Sequence, residues 1–125
     1  MQFKNQKAIY RQIADYLLDN ILARRLQAGD RVQSVRELAK EVQVNPNTVM
    51  RTFTFLNEEG IIVNQRGIGY FITDNALQKT QALKKADFVK EQLPELFKTM
   101  QLLNINFEEL QHFYHQFNPI QHEIK

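Results

Sequence analysis

Asn47 and Arg51 stand four residues apart, a spacing that puts both side chains on one face of a helix. An asparagine amide sets a donor beside an acceptor, and a guanidinium offers a rigid fork of donors. Both suit bidentate hydrogen bonding to planar edges, asparagine to adenine and arginine to guanine. Arg36 and Arg66 carry the same planar fork, which matches phosphate oxygens better than an ammonium does. Ser34, Asn45 and Thr48 sit where helices start, and backbone amides at a helix start favour anions. This is a chemistry of recognition. The sequence has no cysteine, no phosphate-binding glycine loop and no histidine in a nucleophile motif, so it reads as a non-enzyme. His112, His115 and His122, with Glu108 one turn before His112, have a spacing that permits metal binding. They lack a strong ligand quartet and read as surface histidines, so neither a metal nor a cofactor is expected.

The elements that must position these groups are marked in the sequence. Ile9, Ile13, Leu17 and Ile21 recur at helical spacing and predict an amphipathic helix ending around Arg25-Leu26. Gln27 to Asp30 then form a turn at Gly29. Ser34 and Glu37 form a capping box ahead of the apolar stripe Val35, Leu38, Ala39, Val42. After the tight connection Gln43-Val44, Asn45 is an N-cap, Pro46 fills the first helical position and Gly60 closes a third helix. Its core side is Val49, Phe53 and Leu56, and its opposite side is Asn47, Arg51, Thr54 and Glu58. Ile61 to Gln65 and Tyr70 to Thr73 flank Arg66-Gly67-Ile68-Gly69 and predict a hairpin, with Tyr70 and Phe71 read as core. From Asn75 the chain is helical again. Pro94 either kinks that helix or starts a new one, Asn106 with Glu109 marks a further start, and Ile120 to Lys125 read as a loose tail.

Composition bounds the function. At 125 residues, 43% hydrophobic and 24% charged, the chain is a folded domain with at most a helical appendage. No run approaches a membrane span of about 18 apolar residues, and no export signal opens the sequence. A cytoplasmic protein without membrane association is expected. A net charge of +2 is too mild to announce nucleic-acid binding, but every arginine lies before Asp74.

Three helices and a hairpin in this order make a winged helix-turn-helix. Ala8-Ile9-Tyr10-Arg11-Gln12-Ile13, Ala28-Gly29-Asp30, Ser34-Val35-Arg36-Glu37-Leu38-Ala39, Val44-Asn45-Pro46-Asn47-Thr48-Val49, Glu59-Gly60-Ile61-Ile62 and Arg66-Gly67-Ile68-Gly69-Tyr70-Phe71 resemble the GntR-type bacterial repressors over roughly residues 7 to 73. The Asn-Pro-Asn-Thr helix start resembles the YtrA subfamily, which carries only a short helical dimerisation segment after its DNA-binding domain. Ala8, Arg25, Ala28 and Gln33 depart from the family's usual proline or glycine. Pro46 replaces an arginine that touches DNA in many relatives, so Asn45, Asn47 and Thr48 must supply those contacts.

The resemblance implies a mainly α protein with a small β-hairpin. Residues 1–74 would form a winged helix-turn-helix DNA-binding domain and residues 75–125 a helical dimerisation segment. It implies a transcription regulator, a repressor by the family pattern, acting as a homodimer on double-stranded DNA at an inverted-repeat operator. Ser34, Arg36, Asn45, Asn47, Thr48, Arg51, Arg66 and Gly67 would touch DNA, with Arg66 and Gly67 forming the wing tip. Phe107, Phe113, Tyr114 and Phe117 read as an interface core rather than an effector pocket, and no effector is named. The competing reading is a winged helix used as a protein-interaction module. The two part on whether Arg36, Asn47, Arg51 and Arg66 lie exposed on one surface or are buried or scattered.

Overall fold

The computed structural model describes residues 7 to 117. Helix α1 spans Ile9–Leu22 and buries Ile13, Ala14, Leu17, Leu18 and Ile21. It stops short of the Arg25-Leu26 end expected from periodicity. Arg24 adopts a left-handed φ of 65°, and the amides of Arg25 and Leu26 both bond the Asn20 carbonyl, at 2.9 and 3.2 Å. The reversal returns Leu26 to the core edge, so its apolar character marks packing rather than another helical turn.

Residues after the Gly29 turn join the hairpin, which the sequence did not announce. Gly29 N–H donates to the Ile72 carbonyl at 2.9 Å, Ile72 N–H to Asp30 at 2.9 Å and Val32 N–H to Tyr70 at 2.8 Å, while Arg31 bridges Phe71. Helix α2 (Val35–Val42) begins on the expected capping box and ends at Gln43, which is left-handed. Helix α3 (Pro46–Glu58) has Asn45 as N-cap and Pro46 in its first turn. Gly60, at φ +77°, turns the chain out of it.

Strands β1 (Ile62–Gln65) and β2 (Gly69–Ile72) pair antiparallel from Ile62–Ile72 to Gln65–Gly69. Ile72 is buried, and Tyr70 packs its ring edge-on to Phe53 at 4.8 Å. Strand alternation therefore turns Phe71 to the other face, where it is half-buried. Its assignment to the core is corrected. Val49, Phe53 and Leu56 are fully buried as expected, and Thr52 joins them, its hydroxyl donating to the Tyr10 carbonyl at 2.8 Å.

The chain divides into two compact units between Lys84 and Lys85. The part of helix α4 (Ala76–Asp87) that belongs to the first unit contributes buried Ala76 and Thr80, and Leu77 and Leu83 pack against the core. Lys84 pairs with Asp19 at 3.1 Å and Asp15 at 3.5 Å.

In the second unit, a π-helical turn at Phe88–Gln92 leads into α5 (Leu93–Leu103). Pro94 falls in the first turn of α5, at the start of a helical segment. Leu93 N–H reaches back five residues to the Phe88 carbonyl. The widened turn absorbs the ring and missing donor of a proline that an α-helix interior would not accept. Asn104 ends α5 in a left-handed conformation. Asn106 then caps α6 (Phe107–Gln116) by accepting from Glu109 N–H at 2.8 Å. The expected tail from Ile120, and His122, lie outside the described residues.

Candidate nucleic-acid interface

Helix α3 presents the groups the sequence singled out because its two sides differ in chemistry. Val49, Thr52, Phe53 and Leu56 anchor one side in the core, which forces Asn47, Arg51, Thr54 and Glu58 outward, and all four are exposed. Thr48 is half-buried beside them. Asn45 is exposed, and its side-chain oxygen accepts from Asn47 N–H at 2.7 Å.

On α2, Arg36 is exposed. Ser34 is committed to its helix: its hydroxyl oxygen accepts from Glu37 N–H at 3.1 Å, while Glu37 Oε1 accepts from Ser34 N–H at 3.0 Å. The bond from the Ser34 amide, with the Ser34 hydroxyl beside it, holds the Glu37 carboxyl below its ordinary pKa. The amides of Val35 and Arg36 remain as the first-turn donors a phosphate oxygen could take. At the wing, Arg66 and Gly67 are exposed in the turn between β1 and β2, and Gly67 takes φ +77° with open space around it. Arg36 and Arg66 make no side-chain hydrogen bond or ion pair among the described residues.

The structure brings Asn47, Thr48 and Arg51 together with Ala8, Ile9 and Tyr10 around a shallow concavity of about 260 Å³. The Arg51 guanidinium lies 4.1 Å over the Tyr10 ring. Tyr10 meets Phe55 edge-on at 6.1 Å, and Arg11 lies 4.4 Å over Phe55. Sequence reasoning missed this ladder. The start of α1 and the middle of α3 are far apart in the chain, and neither periodicity nor spacing links them.

Arg31 was also missed. A Cβ at Gly69 would stand 2.9 Å from Arg31 Nε, so the glycine lets this arginine lie across the base of the wing. Beside α2, the Glu41 carboxylate accepts from Gln33 at 2.6 Å and from the Tyr16 hydroxyl at 2.8 Å. The Gln33 and Tyr16 bonds hold Glu41 below its ordinary pKa, and the bond to Glu41 raises that of Tyr16.

Among the described residues no group of three or more His, Cys, Asp or Glu side chains is placed to hold a metal ion. No described helix is long and apolar enough to cross a membrane.

A helical core whose third helix exposes a polar face, followed by an antiparallel wing, defines a winged helix-turn-helix protein. The family model for bacterial regulatory proteins of the gntR family matches residues 9–72. The HTH-type transcriptional regulator YhcF of Bacillus subtilis is 38% identical over 87% of this chain and 88% of its own length. The HTH-type transcriptional repressor YtrA of the same organism is 36% identical over 86% of this chain and 82% of its own length. Among solved structures, a GntR-family transcriptional regulator from Bacteroides thetaiotaomicron superposes with a TM-score of 0.75 at 38% identity, covering 93% of this chain and 99% of that one. The chain belongs to the GntR family: it is a transcription regulator with a DNA-binding helix-turn-helix, not an enzyme.

Proposed function

We propose that this regulator is a cytoplasmic repressor that binds an inverted-repeat operator in double-stranded DNA as a homodimer. Residues 1–74 would read DNA and residues 75–125 would dimerise. The observation that carries the reading is the exposed polar face of α3, with Asn47 and Arg51 side by side on it. Arg36, exposed at the start of α2, and Arg66 with Gly67, exposed at the wing tip, extend the same chemistry. Ser34, Asn45 and Thr48 complete the proposed contact set. The similarity to YtrA, named a repressor, supports repression over activation.

In this reading Asn47 and Arg51 contact base edges, whereas Arg66 acts on phosphate or groove potential. Asn47→Ala and Arg51→Ala should each cost the selected operator roughly 1–3 kcal/mol per contact and scrambled DNA little. Arg66→Ala should weaken both duplexes and lower the salt slope by about one per lost contact. Titrating the wild type and the three variants against both duplexes at several salt concentrations tests the assignment. An unchanged operator-to-scrambled ratio in Asn47→Ala and Arg51→Ala would remove α3 as the reader and leave a protein-interaction module.

A further inference from the structure

We infer that Tyr10 is a positioning residue for DNA reading, its ring being the platform that holds the Arg51 guanidinium in the orientation in which it meets a base. The inference rests on the reading above that Arg51 contacts DNA. It also stands on three observations about Tyr10.

The first is the stack itself, with the guanidinium carbon 4.1 Å from the ring centroid. A guanidinium over an aromatic face engages through its π surface, so its N–H donors, which lie in its own plane, stay available for a bidentate contact. A salt bridge would instead consume those donors. The second is that the platform is itself held. The Tyr10 carbonyl accepts from the fully buried Thr52 hydroxyl at 2.8 Å, which ties the first turn of α1 to α3 one residue from Arg51. The Tyr10 and Phe55 rings meet in a T-shaped contact at 6.1 Å and 73°. The third is that Tyr10 and Arg51 line one concavity with Asn47 and Thr48, so the stacked arginine sits beside the helix-start groups of the proposed reader. An unrestrained arginine loses rotamer freedom when it binds. An arginine already laid on a ring has given up part of that freedom beforehand, and the saving appears only in contacts the arginine makes.

The test uses the full chain, a duplex enriched from a random library by the wild-type protein, and a scrambled duplex of the same composition. Four variants are compared with wild type: Tyr10→Phe, Tyr10→Leu, Arg51→Ala and the double Tyr10→Leu with Arg51→Ala. Tyr10→Met replaces the leucine variant if circular dichroism shows that leucine unfolds the chain. Tyr10→Leu should lower the enriched-to-scrambled affinity ratio about three- to tenfold. Tyr10→Phe, which keeps the ring, should restore it to within about twofold, and Tyr10→Leu should have no further effect once Arg51 is alanine. In the protein without DNA, the upfield ring-current shift of the Arg51 side-chain protons should persist in Tyr10→Phe and vanish in Tyr10→Leu.

A ratio unchanged by Tyr10→Leu while Arg51→Ala collapses it would overturn the inference and spare the proposed function. So would an equal loss from Tyr10→Leu in the Arg51→Ala background, or a Tyr10→Phe variant as poor as leucine. An unchanged ratio in Arg51→Ala would overturn the proposed function itself, and the role of Tyr10 with it.

Discussion

At the scale of single residues, short polar side chains near helix starts serve the fold as well as any ligand. Asn45 and Asn106 accept from amides of the helices they precede, and Ser34 does so within a reciprocal box. Such a cap is worth about 1 kcal/mol, so losses in alanine variants at these positions must be corrected for folding before they are read as DNA contacts. The box also has a pH signature. Glu37 and Glu41 are held below their ordinary value by hydrogen bonds. Their contribution is therefore complete above about pH 4.5 and is lost as the pH falls through the lowered folded values. Glu37→Gln should be less stable than wild type at pH 7, and the gap should close in acid. Urea unfolding at pH 7 and pH 3.5 measures this, and a gap that stays constant would show that the Glu37 charge does not support the cap.

At the scale of elements, the helix-turn-helix is braced by α1 and α4. Tyr16 links α1 to Glu41 on α2, Tyr10 links it to Thr52 on α3, and Asp15 and Asp19 link it to Lys84 on α4. Because Ala76 and Thr80 are buried and Leu77 and Leu83 pack on the core, a chain ending at Asp74 loses part of its core wall. A chain of residues 1–84 should fold cooperatively, whereas a chain of residues 1–74 should be less stable by about 2–4 kcal/mol. Thermal and urea unfolding of the two fragments tests the difference. Equal stability would mean that the start of α4 adds nothing to the winged unit.

At the scale of the whole molecule, the second unit carries several large apolar side chains on its surface. Leu102 is 83%, Phe107 72% and Tyr114 68% exposed. A groove of about 700 Å³ runs between Phe88, Leu96, Phe107, Leu110, Phe113 and Phe117. In the proposed homodimer a second copy would cover this surface around a two-fold axis. Sedimentation should give a dimer at micromolar concentration. Phe107→Glu should shift it to monomer without unfolding α6, since an acidic residue suits a helix N-terminus. A monomeric wild type would defeat the idea. Paired α3 helices should then require half-sites about one helical turn apart, or a multiple of it. Binding that ignores changes in half-site spacing would exclude a two-fold reader.

The sequence by itself determined the local structure of this protein, and with it the class. The caps at Ser34, Asn45 and Asn106, Pro46 in a first helical turn, the glycines at 60 and 67 and the period of Val49, Phe53 and Leu56 are choices each peptide segment makes with its near neighbours. They were legible, and so was the polar face they push outward at Asn47 and Arg51. What lay beyond reach depended on residues distant in the chain. The end of α1 was set by Leu26 folding back, the side taken by Phe71 by strand register, and the third edge of the wing by Arg31 and Val32 meeting β2. The place of Pro94 was set by the π turn at Phe88–Gln92, which puts it in the first turn of α5. The stack of Arg51 on Tyr10 belongs to the same group, because a helix pattern states which face a side chain is on and not which ring of another helix will lie beneath it.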